Sequence, residues 1–311
     1  MSDPSKPSAV PGAMIEDMDR DLPIDLGAAE RFVATHARLL DRHRLACLLH
    51  GTDEARQRLH VAVEAYRNSD GGYGWGLEPD LRDGTSQPGP CLHAFEAWAD
   101  AGAPVPARAV ELCDWLDGIA LDGGALPFGL PVDDRTGTAP FWADADPVEP
   151  SLQITAAVLT QAHRVARIDP AVAAHPWLAA ATRWCAEAVR ALDEEPFALV
   201  LGFAATALDA AGEADALEPL ARWIPDDGIV PVAGGAEGEC LRPLDLAPRP
   251  GGPARALLRP EVVAADVDRL AAHQGDDGGW PLEWNAYSPA AELEWRGHLT
   301  VNAIALLRAN P

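Results

Sequence analysis

The chain has 311 residues, 48% of them apolar, enough for one large domain with a sizeable core. Its formal net charge is −24, which repels phosphate backbones and anionic lipid and so excludes nucleic acid as an expected partner. No stretch reaches the ~20 apolar residues of a membrane span, and the first residues lack the basic start and apolar run of a signal peptide, so the expected location is the cytoplasm. The five cysteines, Cys47, Cys91, Cys113, Cys185 and Cys240, are scattered and form no CxxC pair. That pattern fits reduced thiols, not a disulfide frame or a zinc cluster.

Residues 1–26 carry Pro4, Pro7, Pro11 and Pro23, several acids and no apolar period, and read as a disordered tail; 27–311 read as a single domain. Apolar periodicity predicts helices over 27–49, 53–67, 89–102, 105–117, 150–167, 176–192, 196–212, 214–224, 260–274 and 296–309, with almost no strand signal. The segments 53–67, 105–117, 176–192, 214–224 and 260–274 have one wet face, whereas 150–167, 196–212 and 296–309 are apolar nearly all round.

Four of the helical segments run into an Asp-Gly loop: Asp70-Gly71-Gly72, Asp122-Gly123-Gly124, Asp227-Gly228 and Asp277-Gly278-Gly279. Gly supplies positive φ angles, and Asp bonds its own backbone two residues on. The loops recur roughly every 50 residues, with one double interval, so the chain reads as a repeated helical unit. Wet helices alternating with buried ones describe an outer and an inner ring. The expected fold is all-α, an α/α toroid (barrel) of about five to six helical hairpins. The connections near 69–88, 118–149, 225–259 and 275–295 are long, and long ordered loops usually carry function, so the site is expected at the end of the ring where they gather.

Those loops hold Trp75, Trp142, Trp280, Trp284 and Trp295, half of the ten tryptophans, among acids that include Glu78, Asp80, Asp144, Asp146 and Glu149. Any one of these residues alone has an ordinary explanation, a Trp as a spacer between repeats or a Glu as a solvated surface group. Together, aromatic walls and carboxylates suit two chemistries. A carboxylic acid kept neutral in an apolar pocket protonates an alkene, and aromatic faces stabilise the cation. Alternatively, indole faces stack on sugar rings while two carboxylates act as acid and base.

The segment Gln274-Gly275-Asp276-Asp277-Gly278-Gly279-Trp280 resembles the QW repeat of squalene and oxidosqualene cyclases, and the Asp-Gly-Gly-aromatic loops resemble turns of protein prenyltransferase β subunits. The run from Asn68 to Asp80 is similar to that of a bacterial prenyltransferase-like group. This terpenoid cyclase and prenyltransferase superfamily implies an α/α toroid over about residues 50–310. It also implies isoprenoid processing, of the class II terpene cyclase kind, started by protonation in an aromatic-lined cavity that takes a hydrophobic small molecule. Class II cyclases carry an Asp-x-Asp-Asp motif. Asp144-Ala145-Asp146-Pro147 matches its first three positions, which makes Asp146 the proton donor and Asp144 its partner, with Pro147 where a third Asp would stand. Trp142, Trp75 and Trp284 become the cation-stabilising walls, and Glu78, Asp80, Glu149 and Trp295 complete the expected substrate-binding set.

Protein prenyltransferases hold zinc with Asp, Cys and His; here Glu239-Cys240 stands where Asp-x-Cys is required, beside His298 further on, so no metal and no cofactor are expected. The alternatives are a carbohydrate-active toroid with paired carboxylates, and a non-catalytic toroid that binds a lipid or a partner.

Overall fold

The computed structural model describes residues 22–311. Most of the expected tail, residues 1–21, lies outside the described residues. The remainder of it is bound to the domain: Leu22 and Ile24 pack against the first and last helices, and the Asp25 carboxylate accepts from Ala28 N at 2.8 Å as a helix N-cap.

Among the described residues the regular structure is helical apart from one short hairpin with two-residue strands and three isolated β-bridges. The elements are α1 (Leu26–His36), α2 (Leu39–His50), α3 (Asp53–Glu64), α4 (Pro88–Ala101), α5 (Arg108–Ile119), α6 (Pro140–Ala143), α7 (Leu152–Ala166), α8 (Pro170–Ala173), α9 (Pro176–Arg190), α10 (Ala198–Ala211) and α11 (Ala214–Leu217). After them come β1 (Val230–Pro231) and its antiparallel partner β2 (Cys240–Leu241), then α12 (Pro243–Leu246), α13 (Pro260–Ala272) and α14 (Pro289–Ala309).

Two expected boundaries moved. The segment 27–49 is two helices, because Ala37 takes an extended conformation with ψ 162°. Gly297 of α14 crosses there so closely that a Cβ on it would stand 2.5 Å from the Ala37 Cβ. The last helix begins at Pro289, seven residues earlier than expected, with Ser288 Oγ accepting from Ala291 N at 3.1 Å. Glu292, Glu294 and Trp295 therefore stand on a helix and not in a loop.

The Asp-Gly turns behave as their chemistry requires. Asp70, Asp227 and Asp277 each accept from the backbone N–H two residues on, at 3.0, 3.1 and 3.1 Å. The glycine after each aspartate has positive φ, 99° at Gly71, 75° at Gly123, 69° at Gly228 and 93° at Gly278.

Helices α2, α4, α7, α10 and α14 each bury six or more residues. In succession α14 touches α2, α2 touches α4, α4 touches α7, and α7 touches α10. From α10 the contacts continue through α12 and α13 back to α14, while α3, α5 and α9 lie against this series. The main core runs from Leu40 to Val263 and includes Trp98, Trp177, Phe95 and Tyr73. A second apolar group around Phe32, Trp280 and Ile304 joins α1 to α14. No helix among the described residues is long and apolar enough to cross a membrane.

Candidate functional site

Helices α2, α4 and α14 meet over a buried set of charged residues. Asp41 and Arg44 stand one turn apart on α2, His93 and Glu96 one turn apart on α4, and Trp295, His298 and Asn302 on one face of α14. The loop between α3 and α4 adds Glu78 and Asp80. Its anchors are Leu77 and Leu81, both fully buried, and Arg38 Nη1, which donates to Leu77 O at 2.8 Å.

Arg44 is the hub. Its guanidinium lies 3.0 Å from Glu96 Oε1, 2.8 Å from Asp100 and 3.4 Å from Asp41, and it donates to Asn302 Oδ1 at 2.8 Å. Arg38 pairs with Asp41 at 2.8 Å, and Arg164 with Asp100 at 2.7 Å. Burial works against the Arg44 charge, but Glu96, Asp100 and Asp41 outweigh it and hold the group protonated. Burial likewise raises the Glu96 carboxyl, and Arg44 reverses this, leaving it well below the usual carboxylate range.

The two histidines respond in opposite directions. His93 has Nε2 at 3.1 Å from Glu78 Oε2 and Nδ1 at 3.5 Å from Glu96 Oε2. Burial lowers its pKa, the bonds to Glu78 and Glu96 raise it more, and the net shift is upward. His298 has Nδ1 at 3.5 Å from Glu96 Oε2 and at 2.9 Å from Arg44 Nη1. Burial pushes it down to about 3, against the pull of Glu96 and with help from Arg44, so it is a neutral imidazole at pH 7.

The aromatic side of the cluster is Trp295 and Trp284. Trp295 lies edge-on to His298 at 5.4 Å and tilted over His93 at 5.8 Å, and Trp284 meets it in a T-shape at 5.6 Å. The Trp295 indole N–H donates to Asp80 Oδ2 at 2.8 Å, and Tyr287 N donates to Asp80 Oδ1 at 2.9 Å. Burial raises the Asp80 pKa and nearby Glu78 adds to the rise; the two donated hydrogen bonds oppose it without cancelling it. Beside this corner lies an open hollow of about 500 Å³ lined by Trp284, Leu282, Asn285, Glu292 and Arg296.

Of the residues singled out in the sequence, the structure therefore brings together Glu78, Asp80, Trp284 and Trp295. The others lie elsewhere. Asp144 and Asp146 are exposed: Asp144 pairs with Arg135, and Asp146 accepts from Val148 N at 3.0 Å as a turn cap. Glu149 is exposed in the same turn. Trp142 is buried, stacked with Phe128 at 4.7 Å and lying over Gly89 at the start of α4, so it is a core residue. Trp75 is 60% exposed, lies across Gly84, and donates from its indole to Asn68 Oδ1 at 2.7 Å. It also has φ 58°, an uncommon angle for a bulky side chain. Cys240 lies on β2, and the Glu239 carboxylate accepts from Ala236 N at 2.8 Å, so this pair serves its own loop.

His93, Glu96, Arg44 and Asp41 were not singled out from the sequence. One signal was present: His93, Glu96 and Asp100 form a polar stripe at i, i+3 and i+7 on a helix that, after its opening Pro88-Gly89-Pro90, is otherwise made of Ala, Leu, Phe, Trp and Cys. Fold and site together define an all-helical protein with a buried histidine–carboxylate–arginine cluster edged by two tryptophans. No protein-family model matches the chain, and no curated protein matches it.

Proposed function

We propose that this protein is an α/α-toroid enzyme that processes an isoprenoid by protonating it, with Asp80 as the acid and Trp295 and Trp284 as the walls of the reacting corner. The toroid is supported by the unbroken succession of helix contacts from α14 through α2, α4, α7, α10, α12 and α13 back to α14. The observation that carries the chemistry is the setting of Asp80, a buried carboxyl held against one indole that meets a second in a T-shape.

Burial moves the Asp80 carboxyl toward the neutral form that alkene protonation requires, against the two hydrogen bonds it accepts. The alkene π pair forms a new C–H bond with the Asp80 proton, and the O–H bonding pair stays on the carboxylate. That carboxylate keeps the two hydrogen bonds from Trp295 and Tyr287. The tertiary cation formed faces indole π surfaces, each worth about 0.5–2 kcal/mol. Loss of a proton from a neighbouring carbon to a basic group or water ends the reaction.

The test is incubation with C15 to C30 prenyl substrates and product analysis by mass spectrometry. Asp80→Asn is expected to lower turnover by about 10²–10⁴-fold, and Asp146→Asn to leave it unchanged. Absence of any product, or product formation indifferent to Asp80→Asn, overturns the reading. Loss in Asp146→Asn alone returns the acid to the α6 loop.

A carbohydrate-active enzyme is the second reading. What favours it is the lining of the hollow, where polar Asn285, Glu292 and Arg296 share one open surface with the Trp284 indole. Release of reducing sugar from oligosaccharides, with no prenyl product, distinguishes it.

A further inference from the structure

We propose that His93, Glu96 and His298 form a binding site for a divalent transition-metal ion of the zinc type. All three are buried, and one donor atom from each lies within 4.8 Å of the other two. The geometry is closer than that bound. Glu96 Oε2 is 3.5 Å from His93 Nδ1 and 3.5 Å from His298 Nδ1. Donors about 2.0–2.1 Å from a tetrahedral zinc stand roughly 3.3–3.5 Å apart, so two edges of the triangle already have the required length. As direct hydrogen bonds the same contacts are poor, since charge-assisted N–H···O bonds run about 2.7–2.9 Å.

The surroundings prepare each donor. His93 Nε2 faces Glu78 Oε2 at 3.1 Å; a proton donated there leaves the Nδ1 lone pair directed at the site. This carboxylate–histidine arrangement is the usual support of a metal-bound imidazole. Glu96 Oε1 is held by Arg44, which turns Oε2 toward the imidazoles. Arg44 has no acceptor atom, so the His298 Nδ1 that faces it at 2.9 Å is assigned as the acceptor, which leaves the ring proton on Nε2 beside the Asn302 side-chain amide at 2.9 Å. An ion and Arg44 Nη1 compete for that lone pair, and Nη1 has Asp41 Oδ1 at 3.4 Å as its other partner.

Charge favours a cation here. Asp41, Glu78, Glu96 and Asp100 face Arg38, Arg44 and Arg164, so one carboxylate has no guanidinium partner and is left to His93, where a cation bound at Nδ1 takes the place of the imidazolium proton. Two imidazoles and one carboxylate suit zinc and its first-row neighbours and leave the fourth position for water.

The inference does not rest on the isoprenoid reading, and its test needs no substrate. The full chain, stripped with chelator, is titrated with Co²⁺ and followed by visible d–d absorption, then with Zn²⁺ in competition. Expected are saturation at one equivalent, displacement by Zn²⁺, a rise in melting temperature, and no sulfur-to-cobalt charge-transfer band. His298→Gln and His93→Gln are expected to weaken binding at least tenfold. Glu78→Gln, which keeps all three ligands, should weaken it about 10–100-fold. No saturable cobalt spectrum in the unmodified protein overturns the proposal. So does a thiolate band, or a spectrum unchanged in both histidine variants when circular dichroism shows them folded.

Discussion

Replacing Arg44 with Met tests whether the charged cluster is held together as its distances imply. Met fills much of the aliphatic volume but removes a cation that lies within 3.4 Å of Glu96, Asp100 and Asp41 together. At an effective dielectric of about 20, each contact near 3 Å is worth roughly 5 kcal/mol before desolvation, and removing one partner of a buried pair costs about 3–5 kcal/mol net. Arg164 still neutralises part of Asp100, and Arg38 part of Asp41, so Glu96 bears most of the loss.

The expected destabilisation is therefore about 3–5 kcal/mol, or roughly 5–8 °C in melting temperature for a chain of this size. Urea unfolding at pH 7, followed by tryptophan fluorescence, reads it. Arg58→Ala is the control, because Arg58 and Glu54 form a pair on the exposed face of α3 and should lose under about 0.5 kcal/mol. A loss below about 1 kcal/mol for Arg44→Met, or equal losses for the two variants, would show that water reaches the cluster and screens it.

Two further outcomes follow from the packing. Burial pushes His163 down to about 4, where Nε2 meets the Thr182 hydroxyl between α7 and α9. A folded pKa below the unfolded value means stability is complete above about 6.5 and declines as pH falls toward 4, by at most about 1.4 kcal/mol per unit. His163→Phe should flatten that slope in unfolding curves between pH 7 and 4.5, and identical slopes for both proteins would refute the assignment. Gly72→Ala would bring a Cβ to 2.5 Å from the Trp115 ring and from Ser86 Cβ, so a loss of about 1–3 kcal/mol is expected in the same unfolding assay. An unchanged midpoint would mean that Trp115 moves aside without cost.

The helical character and the Asp-Gly turns were legible in the sequence because they depend on local rules: apolar period, Asx bonding and a glycine at positive φ. The break at Ala37 was not, since neither Gly nor Pro marks it. It depends on α14 crossing at Gly297 and on Arg38 reaching the Leu77 carbonyl, 39 residues away. The start of α14 was legible in principle: Ser288-Pro289 is a cap followed by a first-turn proline.

At the site the same division holds. Glu78, Asp80, Trp284 and Trp295 stood out as acids and aromatics in irregular loops. Asp144 and Asp146 stood out too, beside Phe141 and Trp142, yet neighbours in sequence need not share a pocket: Trp142 turns inward while both aspartates face water. Arg44 and His298 become partners only through the packing of α2 against α14, and nothing within either segment announces the other.

That pairing has a consequence for how the molecule comes into being. The Arg44–His298 contact spans 254 residues, and α14 is the last of the described helices in chain order. A linear array of helical repeats can settle one unit at a time as it leaves the ribosome. Here Asp41, Arg44, Glu78 and Glu96 would wait, incompletely covered, until the residues of α14 are made. Contacts of such long range slow folding, because the intervening chain must be closed before they form. A chain that stops before Pro289 keeps the residues of the Arg44–Glu96 and His93–Glu78 contacts but lacks His298 and Trp295, and so it has neither the second imidazole nor the indole that donates to Asp80.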